Sequence, residues 1–348
     1  MTRRLDADDV CPARDGYSMP AEWAQHVRTW MCWPCRVEVW GGPDGLLRAR
    51  QAFARVARAI STFEPVTMCA RPQDAPEAKL ACGGKAEIFD VALDDSWARD
   101  MGPTFVGGPE GGRAGVVWQF NAWGNKYHPY TNDALLGGRI LAWAGVTAYA
   151  APLVCEGGAI HSDGEGTLIT TEQCLLNENR NPHLTPQQVE ERLALFTGAR
   201  RVVWLGDGFS DDETDGHVDN IACFAGPGRV LVGVPQSKSH PDWEPMHEAI
   251  RRLRAARDAR GRAFEIVEIA QPRDAGADFR GRPLQASYVN FYLPNGGVVM
   301  PGFDDRADEA ARAVLAQCFP GRDILQIDAR DIVEGGGGIH CITQQEPE

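Results

Sequence analysis

The sequence has no run of about 18 apolar residues, the length a helix needs to cross a bilayer, so a transmembrane helix is not expected. Its opening, M-T-R-R-L-D-A-D-D-V, has no apolar stretch of signal-peptide type, and the expected compartment is the reducing cytoplasm. Positive charge is in the minority: 35 Lys and Arg stand against 48 Asp and Glu, a net charge of −13. That balance disfavours nucleic acid and anionic membranes as partners; it serves solubility first and suits a small cationic substrate second. Regular cysteine spacing is also missing. A secreted disulfide scaffold would be shorter and denser in cysteine than these ten in 348 residues. Cys32 and Cys35 form a C-x-x-C, but no second Cys or His pair stands at zinc-finger spacing, so neither a zinc nor a redox reading gains support.

What is present is ordinary for a globular chain: 43% hydrophobic and 24% charged residues, enough length to bury a core without disulfides or metals. Residues 1–20 read as an irregular N-terminal arm. The 3.6-residue spacing of Leu47, Phe53, Val56, Ala57, Ile60 and Phe63 predicts an amphipathic helix over 46–63. Further helices are expected over 132–144, 185–196, 243–260 and 307–318. Thr185 is the N-cap, Pro186 the first turn and Gly198 the stop of the second of these. Strands are expected at 29–33, 66–70, 88–93, 115–120, 156–161, 167–171, 173–176, 202–205, 217–224, 230–234, 264–269, 287–293, 298–301 and 324–327. Such alternation with hairpins predicts an α/β fold that is not a simple parallel βαβ sheet.

The chain echoes itself. H-V-D-N-I-A-C-F-A-G-P-G-R-V-L-V-G-V-P at 217–235 matches the rhythm of S-Y-V-N-F-Y-L-P-N-G-G-V-V-M-P at 287–301. G-G-A-I-H-S at 157–162 matches G-G-G-I-H-C at 336–341, with Ser162 in the place of Cys341. On this template Asp100, Asp163, Asp219 and Asn290 recur at intervals of 63, 56 and 71 residues. Repeats of that length suggest a radial array of similar units, whose equivalent strand ends meet around a pseudo-axis.

The tail admits two readings. A glycine run lets backbone pass close to a ligand or another strand, which would present Cys341 as a nucleophile; or it is a flexible tail beside a buried, inert thiol. W-A-R-D (97–100), C-E-G-G (155–158), D-D-E-T-D-G-H-V-D-N (211–220) and Q-Q-E-P (344–347) are polar clusters beside strands, and each serves equally as a turn. His217 and Asp219 can be read as metal ligands or, as alternate residues of a strand, as an imidazole set beside a carboxylate. No second metal pair accompanies them, and no metal is expected.

Longer segments carry a specific resemblance: W-M-C-W-P (30–34), D-D-S-W-A-R-D-M-G-P-T-F-V (94–106), E-G-G-A-I-H-S-D-G-E-G-T (156–167), N-R-N-P-H-L (179–184), E-T-D-G-H-V-D-N (213–220), S-Y-V-N-F-Y (287–292) and G-G-G-I-H-C-I-T-Q-Q-E-P (336–347). In these the chain resembles the agmatine deiminases of the guanidine-modifying pentein superfamily, over nearly its whole length. The resemblance implies one catalytic domain over 1–348, folded as a five-bladed α/β propeller of ββαβ-type units. It implies Cys341 as nucleophile, His217 as general acid/base, Glu156 as the carboxylate orienting it, and Asp100 and Asp219 as the pair gripping a guanidinium. It implies no cofactor, a homodimer or larger assembly, and a place in putrescine formation and agmatine breakdown.

The chemistry explains those residue types. A guanidinium is a stabilised cation and a poor electrophile, so two carboxylates must hold its central carbon for attack. The attacking sulfur must be a thiolate, although a free cysteine has a pKa of about 8.5. Agmatine carries a second cation; Glu213, or Asp215, is expected to hold it, with Trp97 along the aliphatic chain or facing the cation. Three alternatives remain open: a deiminase of arginine or another guanidino compound, an amidinotransferase, and a guanidine-binding sensor. An arginine substrate needs a cationic partner for its carboxylate, and Arg99, Arg180 and Arg273 have no place assigned by sequence.

Overall fold

The computed structural model describes residues 10–348; residues 1–9 of the expected arm lie outside the described residues. The described chain forms five small sheets rather than one large one. In chain order the strands are β1 (His26–Cys32), β2 (Val66–Ala70), β3 (Ala86–Asp90), β4 (Thr104–Gly107), β5 (Arg113–Gln119), β6 (Thr147–Val154), β7 (His161–Ser162), β8 (Thr167–Thr170), β9 (Arg201–Trp204), β10 (Ala222–Gly226), β11 (Arg229–Val234), β12 (Glu265–Ala270), β13 (Gly297–Gly302), β14 (Asp323–Asp328) and β15 (Thr343–Pro347). The sheets are β15-β1-β2-β3, β4-β5-β6, β7-β8-β9, β10-β11-β12 and β13-β14.

One plan recurs. A short antiparallel pairing is followed by a crossover helix and then a parallel strand: β4/β5 then β6, β7/β8 then β9, β10/β11 then β12. The crossover helices are Pro43–Ile60, Leu136–Ala144, Pro186–Thr197, Trp243–Ala255 and Ala307–Cys318. In β13-β14 the first pairing shrinks to a single Tyr292–Val299 bridge, because 287–293 is an irregular turn and not the expected strand. In the first sheet the antiparallel partner of β1 comes from the other end of the chain: β15 pairs with it in the register Thr29–Gln345 and Met31–Thr343.

The helices follow their sequence signals. Pro43–Ile60 buries Leu46, Phe53, Val56 and Ile60 on one face. Pro186–Thr197 has the full reciprocal cap: Gln188 N–H donates to Thr185 Oγ1, Thr185 N–H donates to Gln188 Oε1, and Gly198 takes φ +71° at the far end. Several expectations are corrected. The segment 173–176 is not a strand; Glu172–Leu175 is a helical turn whose Cys174 N–H donates to Thr171 Oγ1. The helix expected over 132–144 divides at Leu135, and the one expected over 243–260 stops at Ala255. Thr147–Val154 is a strand that had no prediction; Q-Q-E-P is a strand and not a turn. In the described part of the arm, Cys11 and Met19 are buried and Ser18 is bridged to Gly107.

The closure between β1 and β15 is fastened by a side chain. Glu346 accepts the buried indole N–H of Trp30 at 2.9 Å and an Arg113 guanidinium N–H at 2.5 Å. Glu346→Ala leaves that indole unpaired in the core, and the expected loss of stability in urea denaturation is about 2–4 kcal/mol. A change below about 0.5 kcal/mol would show that the C-terminal strand docks without it.

Candidate active site

Each sheet is preceded by an irregular turn, and the chemistry-bearing residues sit in those turns. Asp100 lies in the Ala98–Met101 turn before β4, Glu156 in the turn before β7, and His217 and Asp219 around the Val218–Asn220 turn before β10. Asn290 precedes the Tyr292 bridge, and Cys341 precedes β15. All are buried. The recurrence read from the sequence therefore has a physical basis, with two corrections. Asp163 is not the equivalent residue: it sits in the β7–β8 hairpin, where Oδ1 accepts N–H bonds from Glu165 and Thr167. Glu156 and Gly158 occupy the equivalent place. Ser162, expected in the place of Cys341, instead donates to Met19 O of the N-terminal arm.

The turns touch one another directly. Arg99 N–H donates to the carbonyl of Cys341 at 3.1 Å, and Gly158 N–H donates to Asp100 Oδ1 at 2.9 Å. A Cβ on Gly158 would lie 2.6 Å from His217 Nδ1 and 3.0 Å from both Asp100 Oδ1 and Asp219 Oδ2, so only glycine lets these three side chains converge. The glycine run before Cys341 answers the same need. A Cβ on Gly337 would enter the Trp97 ring at 2.5 Å, and one on Gly338 would meet Asn290 Oδ1 at 2.3 Å.

The sulfur of Cys341 accepts an N–H from Asn290 Nδ2 at 3.2 Å and stands 3.4 Å from Asp219 Oδ2. Asp100 Oδ2 accepts the Trp123 indole N–H at 2.9 Å and lies 3.8 Å from His217 Nδ1. On its other side His217 Nε2 faces Glu156 Oε2 at 3.6 Å, and Glu156 Oε1 is held by Arg180 Nε at 2.7 Å. Both ring nitrogens of His217 and Asp219 Oδ1 are buried without a hydrogen-bond partner. His217 and Asp219 thus do not share a strand face, as the H-x-D spacing had suggested. The turn sends the imidazole to Asp100 and Glu156 and the carboxylate to Cys341.

The charges are unequal in effect. Burial works against a charged His217, but Asp100, Cys174 and Glu156 outweigh it and raise the imidazole well above its ordinary pKa. Burial raises Asp100, which His217 offsets only in part. Burial also opposes ionisation of Glu156 and Asp219, yet Arg180 and His217 hold the first below the usual carboxylate range, and His340, His217 and Arg99 hold the second below it. The Cys341 thiol is pushed well up by burial and then by Asp219 and Asp100. The free site therefore pairs an imidazolium with a thiol.

A narrow cavity opens over Cys341, lined by Trp97, Asp100, Trp123, Tyr127, Glu213, Thr214 and Gly335–Gly337. Glu213 and Gly336 also line a wider cleft of about 350 Å³ framed by residues 271–286. Trp97 is buried, stacked on Trp40 at 5.8 Å, and presents its ring to this cavity. Glu213 Oε2 accepts the Tyr127 hydroxyl, and its Oε1 is paired with Arg282 at 2.8 Å and Arg280 at 3.4 Å. Asp215 lies apart from the cavity lining, taken up by Lys126 at 2.8 Å, Arg180 at 2.9 Å and Asn179 at 2.9 Å. Arg99 and Arg180 are buried in ion pairs, and Arg273 donates to Gln236. Trp123, Tyr127 and Arg180 had no role assigned by sequence; an indole N–H or a guanidinium aimed at a carboxylate leaves no local spacing to read.

The profile of the Porphyromonas-type peptidyl-arginine deiminases matches residues 18–347. The chain belongs to that family. Among relatives, the agmatine deiminase of Pseudomonas aeruginosa is 42% identical, with 97% of each chain covered. The family's solved structures superpose closely. Agmatine deiminase of Enterococcus faecalis has a TM-score of 0.93 at 35% identity, covering 97% of this chain and 98% of that one. A cysteine-to-serine variant of the C. jejuni agmatine deiminase with substrate bound has a TM-score of 0.86 at 26% identity, covering 95% and 96%. No described helix is long and apolar enough to cross a membrane.

Gly158→Ala is expected to lower turnover at least a hundredfold while changing stability little, because the methyl group lands among Asp100, His217 and Asp219. Steady-state kinetics beside a thermal melt checks this; near-normal turnover would show that these three side chains need not meet.

Proposed function

We propose that this protein hydrolyses agmatine to N-carbamoylputrescine and ammonia through a covalent amidino-cysteine on Cys341. The observation that carries the reading is a thiol set against Asn290 and Asp219, with Asp100 and His217 beside it. A guanidinium bridging Asp100 and Asp219 would bring its central carbon over the sulfur. Its positive charge would counter the two carboxylates that keep the thiol protonated, so binding itself favours the thiolate, the thiol proton passing to solvent. The thiolate attacks the carbon and forms a tetrahedral intermediate. His217 passes its proton to the departing ammonia, and the C–N bond breaks. The neutral imidazole then takes a proton from water as that water attacks the amidino carbon. Collapse releases the ureido product and the Cys341 sulfur. Glu156, itself steadied by Arg180, keeps the imidazole turned toward the reacting atoms.

The distal ammonium would take Glu213 in place of Arg282 and Arg280, with the aliphatic chain along Trp97; Asp215 acts at a distance by holding Arg180. The five sheets and their shared plan support a five-bladed pseudo-symmetric propeller forming one catalytic domain. Homo-oligomerisation and a role in putrescine formation rest on the resemblance, and cytoplasmic placement on the cysteine usage. Arginine as substrate has one observation in its favour, the Arg280 and Arg282 pair at the cleft, able to meet a carboxylate. A panel of agmatine, arginine and other guanidines, scored for ammonia and ureido product, separates the readings.

Cys341→Ser is expected to fold and to give no turnover; activity near wild type would sink the covalent route. Since burial, Asp219 and Asp100 push the thiol up while Asn290 pulls it down, kcat/KM should climb with pH above neutrality. Asn290→Ala should move that rising limb to higher pH; an unmoved or acid-shifted limb would speak against a thiol-controlled step. Glu213→Gln should raise KM for agmatine roughly tenfold or more with a smaller effect on kcat, as one charge-assisted contact is lost.

A further inference from the structure

Behind Asp219 lies a second layer of buried charge. His340, one residue before the nucleophile, sets Nδ1 2.8 Å from Asp219 Oδ2 and Nε2 2.8 Å from Glu22 Oε1. Both ring nitrogens thus face carboxylates, which is the hydrogen-bond demand of an imidazolium. Burial and Arg99 act to discharge this ring, and the two carboxylates more than offset them. Glu22 comes from the N-terminal segment, is buried, and also faces Arg99 Nη1 at 3.4 Å and His161 Nε2 at 3.4 Å. His161 accepts the Phe224 N–H at Nδ1, so its proton sits on the nitrogen aimed at Glu22. The two histidines are the matching positions of G-G-A-I-H-S and G-G-G-I-H-C. The internal echo therefore has a use beyond symmetry: its two imidazoles stack 6.2 Å apart and converge on one glutamate.

We propose that Glu22 and His340 are positioning residues for the reaction: the Glu22–His340–Asp219 relay holds the Asp219 carboxylate ionised and at its fixed place against Cys341, and His161 anchors the relay from the other copy of the motif. Asp219 has one oxygen free of hydrogen bonds, Oδ1, while Oδ2 is held by His340. The relay thus leaves one lone oxygen for the guanidinium and stops the carboxylate from rotating. His340 gives Asp219 a counter-charge without placing a cation on the face the substrate must occupy.

The proposal rests on the deiminase reading above, and wild-type turnover of agmatine, measured alongside, tests that reading separately. Glu22→Gln keeps size and an acceptor but removes the charge that holds His340 doubly protonated. It should lower kcat/KM about 10- to 100-fold, the range for losing one charge-assisted hydrogen bond at a carboxylate. His340→Asn retains an N–H near the Nδ1 position, toward Asp219, whereas His340→Gln places its N–H near the Nε2 position, toward Glu22. The Asn variant should therefore keep at least fivefold more kcat/KM than Gln, although Gln fills the buried space better. Combining Glu22→Gln with His340→Gln should cost no more than the worse single change, as expected for one unit. Multiplicative losses, a Gln variant as active as Asn, Glu22→Gln within twofold of wild type, or a Glu22→Gln protein that does not fold would each overturn the assignment.

Discussion

Four carboxylates are gathered where water is excluded, and the rest of the chain is arranged to meet them. Asp100, Glu156, Asp219 and Glu22 all lie buried around one point. A buried charge without a partner costs several kcal/mol, so each needs a cation or N–H donors in place. His217 lies beside Asp100 and Glu156, Arg180 holds Glu156, His340 joins Asp219 to Glu22, and Arg99 completes the group. A guanidinium bound beside these carboxylates would add one positive charge and so favour loss of the thiol proton. On the proposed reaction, substrate recognition and nucleophile activation are one electrostatic event.

The fold supplies the partners by bringing turns from distant parts of the chain to one place. No two neighbouring turns carry the complete set. The carboxylate before β4 needs the glycine before β7, and the imidazole before β10 needs Glu156. The sulfur before β15 needs Asn290, from the turn that replaces an expected strand. Pairing of β15 with β1 joins early and late parts of the described chain in one sheet. The stretch between the arm and β1 is equally involved, since Glu22 comes from it. Glu22 ties that stretch to the turn of Cys341 through His340 and to β7 through His161.

The N-cap at Thr185, the stop at Gly198 and the span of Ala307–Cys318 were legible because local rules determine them: a hydroxyl reaches its own helix N-terminus whatever surrounds it. The strand expected at 287–293 failed because apolar composition cannot tell a buried turn from a buried strand. Asp163 was misread for a related reason: spacing alone cannot separate a turn-forming Asp from a site Asp. Asn290 entered the sequence reading only as a repeat position, and its amide contact with sulfur is a tertiary fact.

Reading in one dimension reached the repeated unit, the family resemblance and the residue types of the chemistry: a cysteine near the C-terminus, an imidazole and several acids, with His217 and Glu156 directly beside glycine. These are local, since glycine is needed wherever backbone and side chains crowd, and strings of such residues remain readable in one dimension. Which acids stand beside Cys341 and which are engaged elsewhere is a matter of tertiary structure. It engages Asp215 with Lys126, Asn179 and Arg180, and it leaves Asp219 with one free oxygen beside the sulfur. The reason is that the state and use of a carboxylate depend on its burial and on the cation opposite it, and that cation comes from a distant turn.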